Sequence, residues 1–451
     1  MKKIYWTLLI LSVSFLCAAT DFDVKKYGAK GDGIADDAPA IQKAIDAAQV
    51  NGGCVYFPAG RYRVRKTLSF NGYTPHTLNN AWITFKGAGN GSKLLGDGVD
   101  YILAGRPNPG QKNNWMNGAR IENLTFTSFD WKKRCNGIDA ANMLRFWINA
   151  CNFIKLKKSI ASELPSPHSI WIARIQNCLF SSNADWAISI RRSFDVVISN
   201  NSIEHGDGGI QIGFVEDAKD AACNTLRIES NVIEGLNGNG KQAVKLCCVV
   251  GCRIVGNYFE ANYSGDIEIS PKKGGWFRGG IIAGNTFQPT RKQRETGVYG
   301  PIKLEKAIDV SIFNNFTTGP RLLHTNSKDL GRNIVVFGNT MSNPPSLGFG
   351  GATAAERKAY EQAVAADKMN SNRIVLSGKV KRVGIDTGRG LVFDKNTIVY
   401  ADKAPQSGET GDIVFSRKPI RKNSKITIGW YCTAGGKNAS WCPFSLDAAE
   451  K

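Results

Sequence analysis

Five residues have side chains suited to breaking a sugar chain next to a carboxylate: Lys245, His205, Arg191, Asp207 and Glu268. A lysine or histidine, Lys245 or His205, can take the proton alpha to a uronate carboxylate, helped if neighbouring cations lower its pKa. Arg191 and Lys303 can neutralise that carboxylate and the enolate that forms from it. Asp207 and Glu268 would orient these cations or hold Ca²⁺, a hard cation that takes carboxylate oxygens, although the sequence contains no dedicated calcium loop. No cofactor is required by this chemistry. Trp186 and Tyr263 offer ring faces for a sugar, and Gln211 and Asp139 offer hydrogen bonds to its hydroxyls. The same two acids also suit a glycoside hydrolase, provided their carboxyl groups approach to about 5 to 9.5 Å.

These residues act together only if the chain brings them to one surface. A degenerate repeat does so. It runs from Ile175-Gln-Asn177-Cys-Leu179 through Ile254-Val-Gly-Asn257-Tyr-Phe259 to Val336-Phe-Gly-Asn339-Thr-Met341, with Asn at 177, 201, 231, 257, 285, 315 and 339. Successive asparagines lie 24 to 30 residues apart, and earlier copies fit at Asn123 and Asn152. A repeat of one type and variable length predicts a solenoid, and the alternating β-branched residues make its unit strands rather than helices. Each unit reads as a strand ending at Asn, a bend, a second strand, a Gly-rich turn and a third strand, which is a coil of a parallel β-helix. Asn suits the bend because it tolerates the left-handed backbone, and its amide can bond to the next coil. Alternation in the third strands turns Asp139, Ser189, Gln211, Lys245, Glu268 and Lys303 outward and their Ile or Val neighbours inward. Two residues further lie Ala141, Arg191, Gly213, Cys247, Ser270 and Glu305.

Composition agrees with an all-β chain. Of 451 residues, 48 are Gly and 5 Met, and 42% are hydrophobic, which excludes a disordered or collagen-like protein and disfavours a helical bundle. The 58 Lys and Arg against 38 Asp and Glu give a net charge of +20, which favours an acidic partner. Residues 1–19 read as a secretory signal: Lys2 and Lys3, an apolar run to Leu16, then Cys17-Ala18-Ala19. A secreted or periplasmic protein follows, with no membrane span and no nucleic-acid partner, so the acidic partner is a polysaccharide. Cys432 and Cys442 flank a Gly-rich turn and are the best candidates for a disulfide; the other cysteines read as buried apolar side chains, and their spacing argues against zinc.

The segment from Asp23-Val-Lys-Lys-Tyr-Gly-Ala-Lys-Gly-Asp-Gly to Asp36-Asp37, followed by an amphipathic stretch and Gly52-Gly-Cys-Val-Tyr-Phe-Pro-Ala-Gly-Arg-Tyr62, resembles the opening of pectate-lyase-superfamily, tailspike-like β-helix proteins. The resemblance implies an all-β, right-handed parallel β-helix with an N-terminal capping helix, for which Asp36 or Asp37 is a good N-cap. The same superfamily holds polygalacturonases, uronate lyases, epimerases, tailspike depolymerases and adhesins, so the fold alone names no activity. The polygalacturonase pattern is not met: the corresponding places carry Asp185, Ser189, Glu204-His205-Gly206-Asp207-Gly208 and Lys245. The reading preferred is a lyase acting on an acidic polysaccharide, with a tailspike-type hydrolase or a noncatalytic glycan binder as alternatives, and a trimer as the assembly known among tailspikes. The expected organisation is a signal at 1–19, the β-helix at 20–345, a linker with a short helix at 346–390, and a small C-terminal β module at 391–451.

Overall fold

The computed structural model describes residues 21–341 apart from 71–82, 106–115, 142, 165–168, 215–222, 272–274, 276, 296–298, 320–321 and 325–330. Beyond 341 it describes strands at 374–376, 391–393, 399–401, 413–422, 425–434 and 440–447. The expected signal at 1–19, the helix expected at 354–368 and the side chains of Cys432 and Cys442 lie outside the described residues.

Three long parallel sheets of 12, 12 and 10 strands form a parallel β-helix. One coil illustrates all of them: Ser193–Ser199 on the first face, Ser202–Glu204 on the second and Gly208–Ile212 on the third, before Cys223–Glu229 begins the next coil. The strands are short and pair in register, so each inward residue sits directly over its equivalent one coil away. Ile148, Ile175, Ile198, Ile228, Ile254, Ile282 and Ile312 form one such column on the first face, and all are buried. On the second face Phe126, Phe153 and Phe180 stack with ring centroids 5.1 and 5.0 Å apart.

The asparagine repeat is a ladder inside this core. The backbone N–H and Nδ2 of Asn257 both donate to Asn285 Oδ1, at 2.9 and 3.0 Å, and Nδ2 also donates to Ile228 O at 2.8 Å. The pattern links Asn201, Asn231, Asn257, Asn285, Asn315 and Asn339, all buried. The structure corrects the sequence reading in two ways. The left-handed bend belongs to the residue before each ladder asparagine, namely Asn200, Ser230, Gly256, Gly284, Asn314 and Gly338. Asn177 also occupies this bend position (φ 55°), and Cys178 takes the ladder place, its N–H donating to Asn201 Oδ1 at 2.9 Å. Asn123 likewise sits at the bend, and Asn152 lies just beyond the ladder, beside Thr125 and Leu179. The ladder is therefore continued toward the N-terminus by Cys151 and Leu124, both buried, and the Cys151 thiol is pushed well above its ordinary pKa by burial.

Helix Ala38–Asn51 buries Ile41, Ala44, Ile45 and Ala48 in the same core as Val55 and Phe57. Asp37 stands at its N-cap but makes no side-chain cap; its carboxylate instead accepts from the N–H groups of Lys30 and Gly31. Asp36 is the one that caps, accepting from Ala38 N at 3.1 Å and Arg65 N at 3.2 Å. Near the C-terminus, Ile374–Leu376 pairs with Leu391–Phe393, and Val399–Ala401, Ile413–Lys422, Lys425–Ala434 and Ser440–Asp447 form a four-stranded sheet. Leu391–Phe393 thus pairs backward rather than with the four-stranded sheet. The ladder predicts unequal costs for its asparagines and for Asn152. Asn257→Ala, which orphans buried groups on both neighbouring coils, should cost roughly 2–4 kcal/mol, whereas Asn152→Ala should stay within about 0.5 kcal/mol, as read from thermal unfolding followed by circular dichroism.

Candidate active site

The third face carries the residues with chemistry. Register stacks Asp139, Ala161, Ser189, Gln211, Lys245, Glu268 and Lys303 in one column, while Ile138, Ile160, Ile188, Ile210, Val244, Ile267 and Ile302 fill the core behind it. The expected column is correct except for one coil: Ile160–Ser162 lies between Asp139 and Ser189. That coil went unrecognised because its outward residue is alanine, and it contributes Glu163 to the next column along.

Two ion-pair clusters occupy this face and the corner beside it. In the first, Lys158 Nζ lies 2.5 Å from Glu163 and 3.7 Å from Asp185, and Lys241 Nζ lies 3.6 Å from Asp185 and 3.9 Å from Asp207. Ser189 donates to Glu163 at 2.7 Å. In the second, Glu268 accepts from Lys245 at 3.1 Å and from Ser270 at 2.7 Å, with Lys303 at 3.5 Å, and Lys303 also meets Glu305 at 3.1 Å. Burial opposes ionisation of Glu268, but the Ser270 hydroxyl and the two lysines outweigh it and hold its carboxyl below the ordinary range. Burial likewise opposes the Lys303 charge, and Glu305 and Glu268 outweigh it, raising that ammonium's pKa. Cations half-freed from solvent and already facing carboxylate are suited to exchange that carboxylate for one on a ligand.

The second cluster opens onto a pocket of about 380 Å³ whose lining includes Tyr263, Gln293, Tyr299, Glu268 and Lys303. Behind its wall Asp266 is 2% exposed. Its Oδ1 accepts from Asn262 Nδ2 at 2.9 Å, and its Oδ2 accepts from the Tyr299 hydroxyl. Burial pushes the Asp266 pKa up to about 7 against these two bonds. Burial and the Asp266 charge push the Tyr299 hydroxyl well above its ordinary value. Sequence reasoning placed Lys241 at the turn beside this column but missed Lys158, Glu163, Asp185 as a cluster member, Asp266 and Tyr299. The lysines and acids at coil corners follow from register; Tyr299 lies in a long inter-strand segment with no periodic signal.

The predicted residues divide. Glu268, Lys303 and Tyr263 come together at the pocket, Tyr263 with 63% of its surface exposed, and Lys245 joins them through its ion pair with Glu268. Asp207 lies in the first cluster, apart from Glu268, so the two do not form one carboxylate pair. His205 stands at a coil corner with φ 54°, its side chain 65% exposed beside Glu204, outside both clusters. Trp186 is buried rather than a stacking surface. Gly208 of the next coil lies over it, where a Cβ would stand 2.8 Å from Trp186 Cε3 and 2.9 Å from Lys241 Cβ. Asp139 is 7% exposed, accepting from Ala141 N at 3.2 Å. Gln211 is half-buried in the column, next to Lys245. Arg191 follows the third-face strand, and among the described residues its buried Nε has no acceptor. Among the described residues no group of three or more His, Cys, Asp or Glu is arranged to hold a metal. The carboxylates of both clusters face ammonium groups, a donor set that does not fit Ca²⁺. Among the described residues no helix is long and apolar enough to cross a membrane.

Residues 22–213 match the family described as Rhamnogalacturonase A/epimerase, pectate lyase-like. Two Azotobacter vinelandii proteins, mannuronan C5-epimerase AlgE5 and alginate lyase 7, are each 43% identical over 86 residues, 19% of this chain and 9% and 10% of theirs. The chain thus spans about a tenth of the length of these relatives. The tailspike protein of Acinetobacter baumannii phage AM24 superposes with a TM-score of 0.57 at 18% identity, over 71% of this chain and 54% of that one. The family match covers less than half of the chain, and the superposition agrees with the sheets in showing the fold, a parallel β-helix.

Asp266 gives a pH test of the pocket wall. Its folded pKa lies above the unfolded one, so the native state holds the proton more tightly between pH 4 and 7. Relative to Asp266→Asn, the wild type should match or exceed in stability below pH 4 and lose a few kcal/mol as pH rises to 7. Urea midpoints of both proteins across that range check it; parallel curves would place Asp266 in a solvated site.

Proposed function

We propose that this parallel β-helix protein is a polysaccharide-degrading enzyme, specifically a lyase that cleaves an acidic, uronate-containing chain by β-elimination. The observation that carries the reading is Glu268 shared between Lys245 and Lys303, with Glu268 and Lys303 lining the pocket. Elimination needs the proton alpha to a carboxylate to become acidic, and cations that neutralise the carboxylate and the developing enolate achieve this. Lys245 and Lys303 release Glu268 and take the uronate carboxylate. Lys245, bound to a carboxylate, serves as a cation rather than as the base. Glu268 holds the pair in place before substrate arrives. Tyr263 offers an exposed ring at the pocket edge for a sugar face.

Two further facts favour an acidic substrate. The chain carries a net charge of +20, which concentrates polyanions near its surface. The relatives matched over 86 residues are named for mannuronan epimerisation and alginate lysis, both reactions at a uronate.

Incubation with a panel of polyuronates, following ultraviolet absorbance of an unsaturated product together with reducing ends, tests this. The wild type should raise both in step, and Lys303→Ala and Lys245→Ala should each lower kcat/KM by about 100-fold. Reducing ends without absorbance would establish hydrolysis instead, and changed uronate composition without cleavage would establish epimerisation.

A further inference from the structure

The pair formed by Tyr299 at the pocket wall and buried Asp266 behind it is unusual in its chemistry. Tyr299 arrives on the segment between strands Thr286–Gln288 and Ile302–Leu304, lines the pocket with Glu268 and Lys303, and donates its hydroxyl to Asp266 Oδ2. Asn262 holds the other carboxylate oxygen at 2.9 Å. Fixing this segment needs no charge, because an asparagine at 266 would accept the same hydroxyl. A buried carboxylate without a cation is costly. Its two hydrogen bonds come from neutral groups, Asn262 and Tyr299, while Lys303 pairs with Glu268 and Glu305. A buried carboxylate bonded to a phenol hydroxyl at a pocket wall is placed to exchange a proton with it.

We propose that Tyr299 is the proton-transfer residue of the elimination, with Asp266 as its positioning partner and proton store; this rests on the β-elimination reading above. The Tyr299 oxygen takes the proton alpha to the uronate carboxylate while the hydroxyl proton of Tyr299 passes to Asp266 Oδ2. The C–H electron pair becomes the enolate, whose charge Lys245 and Lys303 meet. The enolate electrons then form the ring double bond, the glycosidic carbon–oxygen bond at the beta carbon breaks, and the leaving oxygen takes the Tyr299 proton. Tyr299 recovers its own proton from Asp266, so base and acid are the same pair and no co-reactant is consumed. Both transfers occur on one face of the sugar, the face turned toward Tyr299.

Full-length wild type, Tyr299→Phe and Asp266→Asn, compared in the polyuronate assay and in equilibrium binding of a uronate oligosaccharide, test the assignment. Tyr299→Phe should bind within about threefold of wild type and form unsaturated product roughly 100-fold more slowly; Asp266→Asn should lower kcat at least about 10-fold with KM little changed. If wild type forms no unsaturated product, the elimination reading itself falls. If wild type forms it and Tyr299→Phe does so within threefold, only the Tyr299 assignment falls. Loss of oligosaccharide binding in both variants, parallel to the loss of rate, overturns it as well, since the pair would then be shaping the pocket rather than moving a proton.

Discussion

The site depends on the buried amide ladder. An asparagine in an apolar core must satisfy both its donor and its acceptor, and here it does so only when the next coil returns to the same height and register. First-face strands from Ile170 onward are accordingly seven residues long in every coil, and second-face strands are two or three. The variation in repeat length, seen as 24 to 30 residues between ladder asparagines, is pushed to the two corners that flank the third face. From Glu204 to Gly208 the corner is short; from Gln288 to Ile302 it is long enough to hold helix Arg291–Glu295 and Tyr299. The rigid ladder on one side thus leaves the third face as the place where the chain can build walls.

Those walls change the meaning of ordinary side chains. Lys245 and Lys303 on an open sheet would form weak surface pairs. Here they share Glu268, whose side chain is only 11% exposed and which lines the pocket with Lys303, Tyr263 and Tyr299, and a ligand carboxylate would meet cations already stripped of much of their water. Asp266 shows the opposite limit, a carboxyl that meets no cation among the described residues and whose proton affinity is raised by burial. One coil therefore holds two acids, two residues apart, shifted in opposite directions: Glu268 held below the ordinary carboxyl range by Ser270 and its lysines, and Asp266 pushed up by burial.

Much of this was legible in the sequence because β-helix geometry converts spacing into contact. The Ile/Val-x-x-Asn repeat announced the coils, and simple alternation found the column holding Lys245, Glu268 and Lys303. The errors share a cause. Reading Asn as the marker of every coil shifted Asn177 by one place, where Cys178 fills the ladder, and Ala161 left the coil between Asp139 and Ser189 without a polar flag. Trp186 looked like a stacking surface because burial by Gly208 comes from a neighbouring coil. Tyr299 was invisible because no repeat constrains a corner segment, and only the folded chain brings its hydroxyl to Asp266.

The central claim is that the third face cleaves a polyuronate by elimination. Mass spectrometry of the oligosaccharides released from a defined polyuronate tests it most directly. Elimination predicts that each cut leaves one new end lighter by one water than the corresponding hydrolysis fragment, with no label incorporated from ¹⁸O water. Fragments of full hydrolytic mass carrying ¹⁸O would contradict the account.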